Sequence, residues 1–261
     1  MSAAAPLAGH LALVCGGSAG IGLASAQALA GMGAEVWLLA RTPATLEAAL
    51  RRLPGSAPHR ALVADLAHPE TAVATLREAL AGRAVSVLVN NSAGPPPGPI
   101  AEAGAAAFRS TFEQQLLAAH ALVQCLLPGM RAQRFGRIVN IISTSVREPL
   151  AGLGVSNTVR AAVAAWAKTL AGELAAEGIT VNSVLPGYTR TARLEQIIEA
   201  RMAATGQTRA EVEAAMLSQV PAGRFAEPGE VAAAVAFYAS PAAGYVTGTT
   251  LAVDGGRTRA L

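Results

Sequence analysis

A chain of 261 residues fits one α/β domain of ordinary size, and folding at this length buries roughly three quarters of the unfolded surface, so the core needs neither disulfide nor metal. Hydrophobic residues make up 52% and charged residues 14%, which is apolar for a soluble monomer and points to surface covered by partner subunits. Lys and Arg total 20 against 17 Asp and Glu, for a net charge of +3, and the arginines are scattered without a basic run or a recognition module, which excludes the nucleic-acid-binding classes.

The opening stretch, MSAAAPLAGHLALV, lacks a basic segment followed by a long apolar run. No signal peptide and no membrane span are expected, and a cytoplasmic location follows. Leu11–Cys15 reads as a first strand, followed by a glycine turn and a helix over Gly20–Ala30. Glu35–Ala40 is the second strand, with a helix near Thr45–Arg52. Ala61–Ala64 and Val85–Val89 are further strands, with a helix near Glu70–Ala81 between them. The Gly-Pro-Pro-Pro-Gly-Pro run at Gly94–Pro99 is a stiff loop. Two long Ala-rich helices, near Ala106–Met130 and Ser156–Glu177, flank a strand at Arg137–Ile142. Strands at Thr180–Val184 and Thr249–Val253 complete the series. Continuously apolar strands alternating with helices predict a doubly wound parallel Rossmann sheet of about seven strands, as one domain over 1–261.

Residues 192–219 break the alternation as two short helices. The second opens on Thr208 to Glu211, a capping-box pattern that satisfies exposed helix N–H groups. Such an insert after a strand's carboxyl end is placed to act as a lid over a cleft. Its apolar residues Leu194, Ile197, Ile198, Met202, Val212 and Met216 predict a moderately apolar small-molecule substrate. The other walls are expected from Pro95–Pro97, Ser143, Leu150–Val155 and Tyr188. Cys15 and Cys125 have no metal-like partners and read as buried apolar residues. His10, His59 and His68 read as surface residues, and His120 as core or interface. No metal site is expected.

Gly16, Ser18, Ala19, Gly20, Ile21 and Gly22 join the first strand to the first helix. Glycines permit the tight turn and let the backbone approach a pyrophosphate, and the helix N-terminus offers free N–H groups to its oxygens. The spacing Gly16-x3-Gly20-x-Gly22 resembles the TGxxxGxG loop of the short-chain dehydrogenase/reductase family, with Cys15 in the place of Thr. Four further stretches are similar to that family in the right order: Asp65-Leu66, Asn90-Asn91-Ser92-Ala93, Ile179–Thr191 (ITVNSVLPGYTRT), and Tyr245–Gly248 with Val253–Gly256. The resemblance covers nearly the whole chain, of the 3-oxoacyl-ACP-reductase type. It implies that Asp65 and Leu66 meet the adenine, that Asn91 lies beside the cofactor, and that Pro186, Gly187, Thr189 and Thr191 meet its nicotinamide end. It also implies a homotetramer or homodimer.

The end of the second strand reads Leu39-Ala40-Arg41-Thr42. Ala40 places no carboxylate there to repel a ribose 2′-phosphate. Arg41 and Thr42 can hydrogen-bond one, so NADP(H) is expected over NAD.

The family's chemistry uses a Tyr as proton donor, a Lys four residues later, a Ser upstream and an Asn on the preceding helix. Ser143 takes the serine role by resemblance. The Tyr position reads Ser156, the Lys position Arg160 and the Asn position Gln115. Lys168, the only lysine, lies about 12 Å beyond Arg160 along the helix and cannot substitute. A serine hydroxyl is a far weaker acid than a phenol. Arg160 can hold the nicotinamide ribose and stabilise negative charge on a substrate oxygen, and Tyr188 is a further candidate proton donor. Three readings stay open. The leading one is an NADP(H)-dependent oxidoreductase acting on a carbonyl or alcohol, with an unusual catalytic set. The others are a non-catalytic NADP-binding sensor or scaffold, and a non-redox lyase or isomerase on the same fold.

Overall fold

The computed structural model describes residues 5–260. Among them, seven strands form one parallel sheet: β1 (Leu11–Cys15), β2 (Glu35–Ala40), β3 (Arg60–Val63), β4 (Val87–Asn90), β5 (Gly136–Ile141), β6 (Ile179–Pro186) and β7 (Thr250–Val253). Their spatial order is β3-β2-β1-β4-β5-β6-β7. The chain runs outward from β1 to β3, then returns across β1 to start β4. This reversal opens a crevice at the carboxyl ends of β1 and β4, which is where α/β sheets bind ligands.

The helices are α1 (Gly20–Gly31), α2 (Pro43–Leu50), α3 (Pro69–Leu80), α4 (Ala105–Phe112), α5 (Ala118–Gln133), α6 (Gly154–Leu174), α7 (Ala192–Thr205), α8 (Arg209–Leu217) and α9 (Pro228–Ala239). Side chains alternate across each strand, so β1 feeds two cores. Ala12 and Val14 pack with Leu23 and Leu29 of α1 and with Val231 and Val235 of α9. Leu11, Leu13 and Cys15 pack on the other face with Leu76 of α3, Leu122 of α5 and Leu174 of α6. Each fully buried leucine contributes about 1.5–3 kcal/mol of hydrophobic stabilisation. Burial on both faces explains why these strands are apolar throughout rather than alternating.

The doubly wound sheet matches expectation, with most strand ends within a residue or two. Three local readings need correction. The segment 106–130 is not one α-helix, because Glu113–Leu117 forms a π-helical turn between α4 and α5. Cys125 is half-buried rather than buried. His10 and His59 are not free surface residues. His10 Nδ1 lies 3.0 Å from the Ser86 hydroxyl, its ring stacks on Phe135, and burial followed by the nearby Arg137 charge lowers its pKa. His59 Nδ1 accepts from the Val36 N–H at 3.0 Å. His68 is exposed as expected. The expected capping box at Thr208 and Glu211 is formed. Among the described residues, no helix is long and apolar enough to cross a membrane, and no cluster of His, Cys, Asp and Glu could hold a metal ion.

Candidate active site

A cleft of about 450 Å³ opens at the carboxyl end of the sheet. One end is the turn between β1 and α1. Gly16 and Gly20 take left-handed conformations there, with φ of 57° and 54°. Residue 19 is the N-cap of α1 and offers no side-chain acceptor to the first helical N–H groups, which therefore remain available to a ligand's oxygens. A Cβ on Gly22 would stand 2.1 Å from the Gly16 carbonyl oxygen, so the turn closes only over glycine. Asn91, the residue after β4, donates through Nδ2 to the carbonyls of Cys15 and Gly16, both at 3.3 Å, and ties the two sides of the crevice together. Thr191, the N-cap of α7, packs beside Gly20. This backbone cradle and open helix end suit a pyrophosphate, so the residues present fit a dinucleotide.

Of the residues expected to bind cofactor, all but Gly22 line this cleft, with Arg41 and Thr42 at one end and Pro186, Gly187, Thr189 and Thr191 towards the other. Gly22 acts behind the turn, as its packing shows. Asp65 is turned into its own loop, accepting from the Ala67 N–H at 3.0 Å. Leu66 borders the cleft beside it.

The residues expected to be catalytic divide. Ser143, Ser156, Arg160 and Tyr188 line the cleft. Arg160 sits on α6 one turn after Ser156, as i,i+4 spacing dictates, and its Nε donates to the Ser156 hydroxyl at 3.2 Å. Its Nη1 donates to the carbonyls of Ile142 at 2.6 Å and Ile141 at 3.3 Å. Arg160 is thus fixed against the strand end that carries Ser143. Burial, followed by the charge of Arg193, pulls its pKa down to about 10, so it is still a cation at neutral pH. Gln115 does not line the main cleft. It sits in the π turn, donates to the Ala93 carbonyl at 3.0 Å, and borders a small cavity of about 20 Å³ with Asn140 and Arg160. Tyr188 is buried, and its hydroxyl accepts from Arg201 at 3.3 Å. Lys168 is engaged elsewhere, with the Gly248 carbonyl at 2.9 Å.

The lid pattern also divides. All six residues pack in one core with Tyr188 and Phe225, and of the six Leu194 and Ile197 also reach the cleft. Leu150 and Leu153 line the cleft as expected. The expected Pro95–Pro97 wall is replaced by Gly94, against which the Arg193 guanidinium packs. Sequence reasoning missed Arg193, Arg201 and Arg257, all on the wall. Helical spacing held a signal for two of them, since Arg193, Ile197 and Arg201 fall on one face of α7. Arg257, beyond the last strand, had none.

A family model described as enoyl-(acyl carrier protein) reductase matches residues 16–258. The chain belongs to the short-chain dehydrogenase/reductase family. A 3-oxoacyl-(acyl-carrier-protein) reductase of Vibrio cholerae is 35% identical over 253 residues, covering 96% of this chain and 98% of that protein. Among solved structures, the L-sorbose reductase of Gluconobacter frateurii, complexed with NADPH and L-sorbose, superposes with a TM-score of 0.90 at 31% identity, covering 99% of this chain and 100% of that one. A further short-chain dehydrogenase/reductase structure is 35% identical with a TM-score of 0.81, covering 96% of this chain and 97% of its own.

Proposed function

We propose that this protein is an NADP(H)-dependent oxidoreductase that interconverts a carbonyl and an alcohol, with Ser143, Ser156 and Arg160 doing the work that its relatives assign to a phenol and an ammonium. The observation that carries this reading is the Arg160–Ser156 hydrogen bond, fixed to the strand carrying Ser143 in the same cleft as the open end of α1. NADPH supplies the hydride when bound. The choice of NADP rests on Ala40 and Arg41 at the end of β2, and on solved relatives described as NADPH-dependent or NADPH-bound.

Each residue has a distinct part. The Ser143 hydroxyl donates to the substrate oxygen. Ser156 accepts from Arg160, which leaves its own O–H free to donate into the cleft. The Arg160 cation stabilises negative charge growing on that oxygen, an effect strengthened where water is excluded. Arg160 does not release a proton at neutral pH, so protonation is completed through the serine hydroxyls from solvent. The polar cavity beside Gln115 has room for about one water on that route. Residues 192–219 act as the lid. The chain works as a homo-oligomer, a reading supported by the exposed apolar side chains of Phe237, Tyr245 and Leu251.

The test is NADPH oxidation across a panel of carbonyl compounds, with calorimetry of NADP and NAD binding. We expect turnover, tighter binding of NADP than NAD, and a loss of about 10²–10³-fold in kcat on Ser143→Ala or Arg160→Ala. Tight NADP binding without turnover across the panel supports a sensor or scaffold instead. Product formation without a change in reduced nicotinamide supports a lyase or isomerase.

A further inference from the structure

The wall of the cleft carries five arginines and, among the described residues, a single carboxylate. That carboxylate, Asp65, lies at the β3 end and faces its own loop. Arg41 is at the adenosine end of the cradle. Arg160, Arg193, Arg201 and Arg257 gather at the opposite end, and among the described residues none of the four forms an ion pair. Guanidinium groups held close together in a cleft raise the local positive potential, which favours an anionic ligand.

Two of the four lie around one side chain. The Arg257 guanidinium stands 4.6 Å from the centre of the Tyr188 ring, and that of Arg201 stands 5.8 Å from it while donating to the Tyr188 hydroxyl. Arg257 also reaches the Thr144 hydroxyl at 3.4 Å, one residue beyond Ser143, and its Nε is buried without an acceptor among the described residues. The backbone around Arg257 is held. The Asp254 carboxylate accepts from the Gly256 N–H at 3.0 Å and the Thr258 N–H at 2.8 Å. Left-handed Gly255 and Gly256, with φ of 66° and 84°, turn the chain back over the cleft. The Glu148 carboxylate pins the next two N–H groups, at Arg259 and Ala260. These contacts place Arg257 beside the serine that meets the substrate oxygen and away from the Gly16–Ile21 phosphate cradle.

We infer that the substrate is a short oxo acid, or the matching hydroxy acid, whose carboxylate is bound by Arg257 and Arg201 beside Tyr188 while its oxo group faces Ser143. This inference rests on the oxidoreductase reading and names the substrate class for it. In reduction the carbonyl carbon gains a hydride from NADPH and the oxygen gains a proton from solvent. The products are the hydroxy acid and NADP⁺, and the carboxylate is unchanged. Guanidinium forks match carboxylate geometry, and one ionic hydrogen-bonded contact changes affinity by about 10- to 100-fold.

Calorimetry tests this with acetoacetate, its neutral methyl ester and inorganic phosphate, titrated into the protein with and without saturating NADP⁺. We expect acetoacetate to bind at least about 10-fold more tightly than the ester, and Arg257→Gln and Arg201→Gln each to cut that preference about 10-fold. Equal or tighter binding of the ester to the unmodified protein overturns the inference, as does phosphate outcompeting acetoacetate when NADP⁺ fills the cradle. The NADP⁺ isotherm reports separately on the dinucleotide reading. An acid preference that is present without NADP⁺ and is cut by Arg257→Gln and Arg201→Gln supports the anion site even if that isotherm is flat.

Discussion

Arg160 holds its charge where burial opposes it, and this sets the expected pH behaviour. Its pKa of about 10 lies below the ordinary arginine value, first because it is desolvated and second because Arg193 is near. The group is charged below that pH and loses its charge as pH rises through it. For NADPH-driven reduction, kcat/KM is therefore expected to stay flat between about pH 6 and 9 and to fall above about 10, with the fall absent in Arg160→Gln. A descending limb near neutrality in steady-state rates would assign the proton to a different group. Cys15 makes a second residue-scale prediction. Burial pushes its thiol up to about 12, whereas Cys125 is partly exposed. A thiol reagent should label one cysteine per native chain, at Cys125, and two after unfolding. The departures at 156 and 160 were legible from the family resemblance, by counting from Ser143. The partners of Arg160 were not, because its contacts to the Ile141 and Ile142 carbonyls come from a strand 18 residues and more away.

At the scale of elements, α1 shows how one position differs from another of the same type. Gly22 has no room for a methyl group, while Gly31 at the far end of the helix has nothing within 4 Å of a built Cβ. Gly22→Ala should destabilise the protein by about 1–3 kcal/mol and weaken NADP binding. Gly31→Ala should be neutral or stabilising by up to about 1 kcal/mol. Urea midpoints for the two variants, with a cofactor titration, check both. The strands and most helices could be read from the sequence because two-sided burial writes continuous apolar runs. The π turn at 113–117 could not, since its composition matches an ordinary helix and its cause is tertiary. The extra residue in that turn lets Gln115 reach the Ala93 carbonyl. The lid stripe was read correctly as helical, but periodicity does not say which partner an apolar face meets. Most of that face meets Tyr188 and Phe225, and arginines occupy much of the wall that it was expected to supply.

At the scale of the molecule, the sheet ends on β7, where Leu251 is 39% exposed, with Phe237 of α9 47% exposed and Tyr245 fully exposed. An apolar edge of this kind is an aggregation hazard unless another chain covers it. Light scattering should give a mass of two or four chains, and Phe237→Glu with Leu251→Glu should shift it towards smaller species. The walls of the cleft are also spread unevenly along the chain. The glycine cradle and Asn91 lie in its first half, whereas Arg257 follows every other residue of the wall. A change confined to the final turn can therefore alter selectivity for the other ligand and leave the nucleotide cradle untouched.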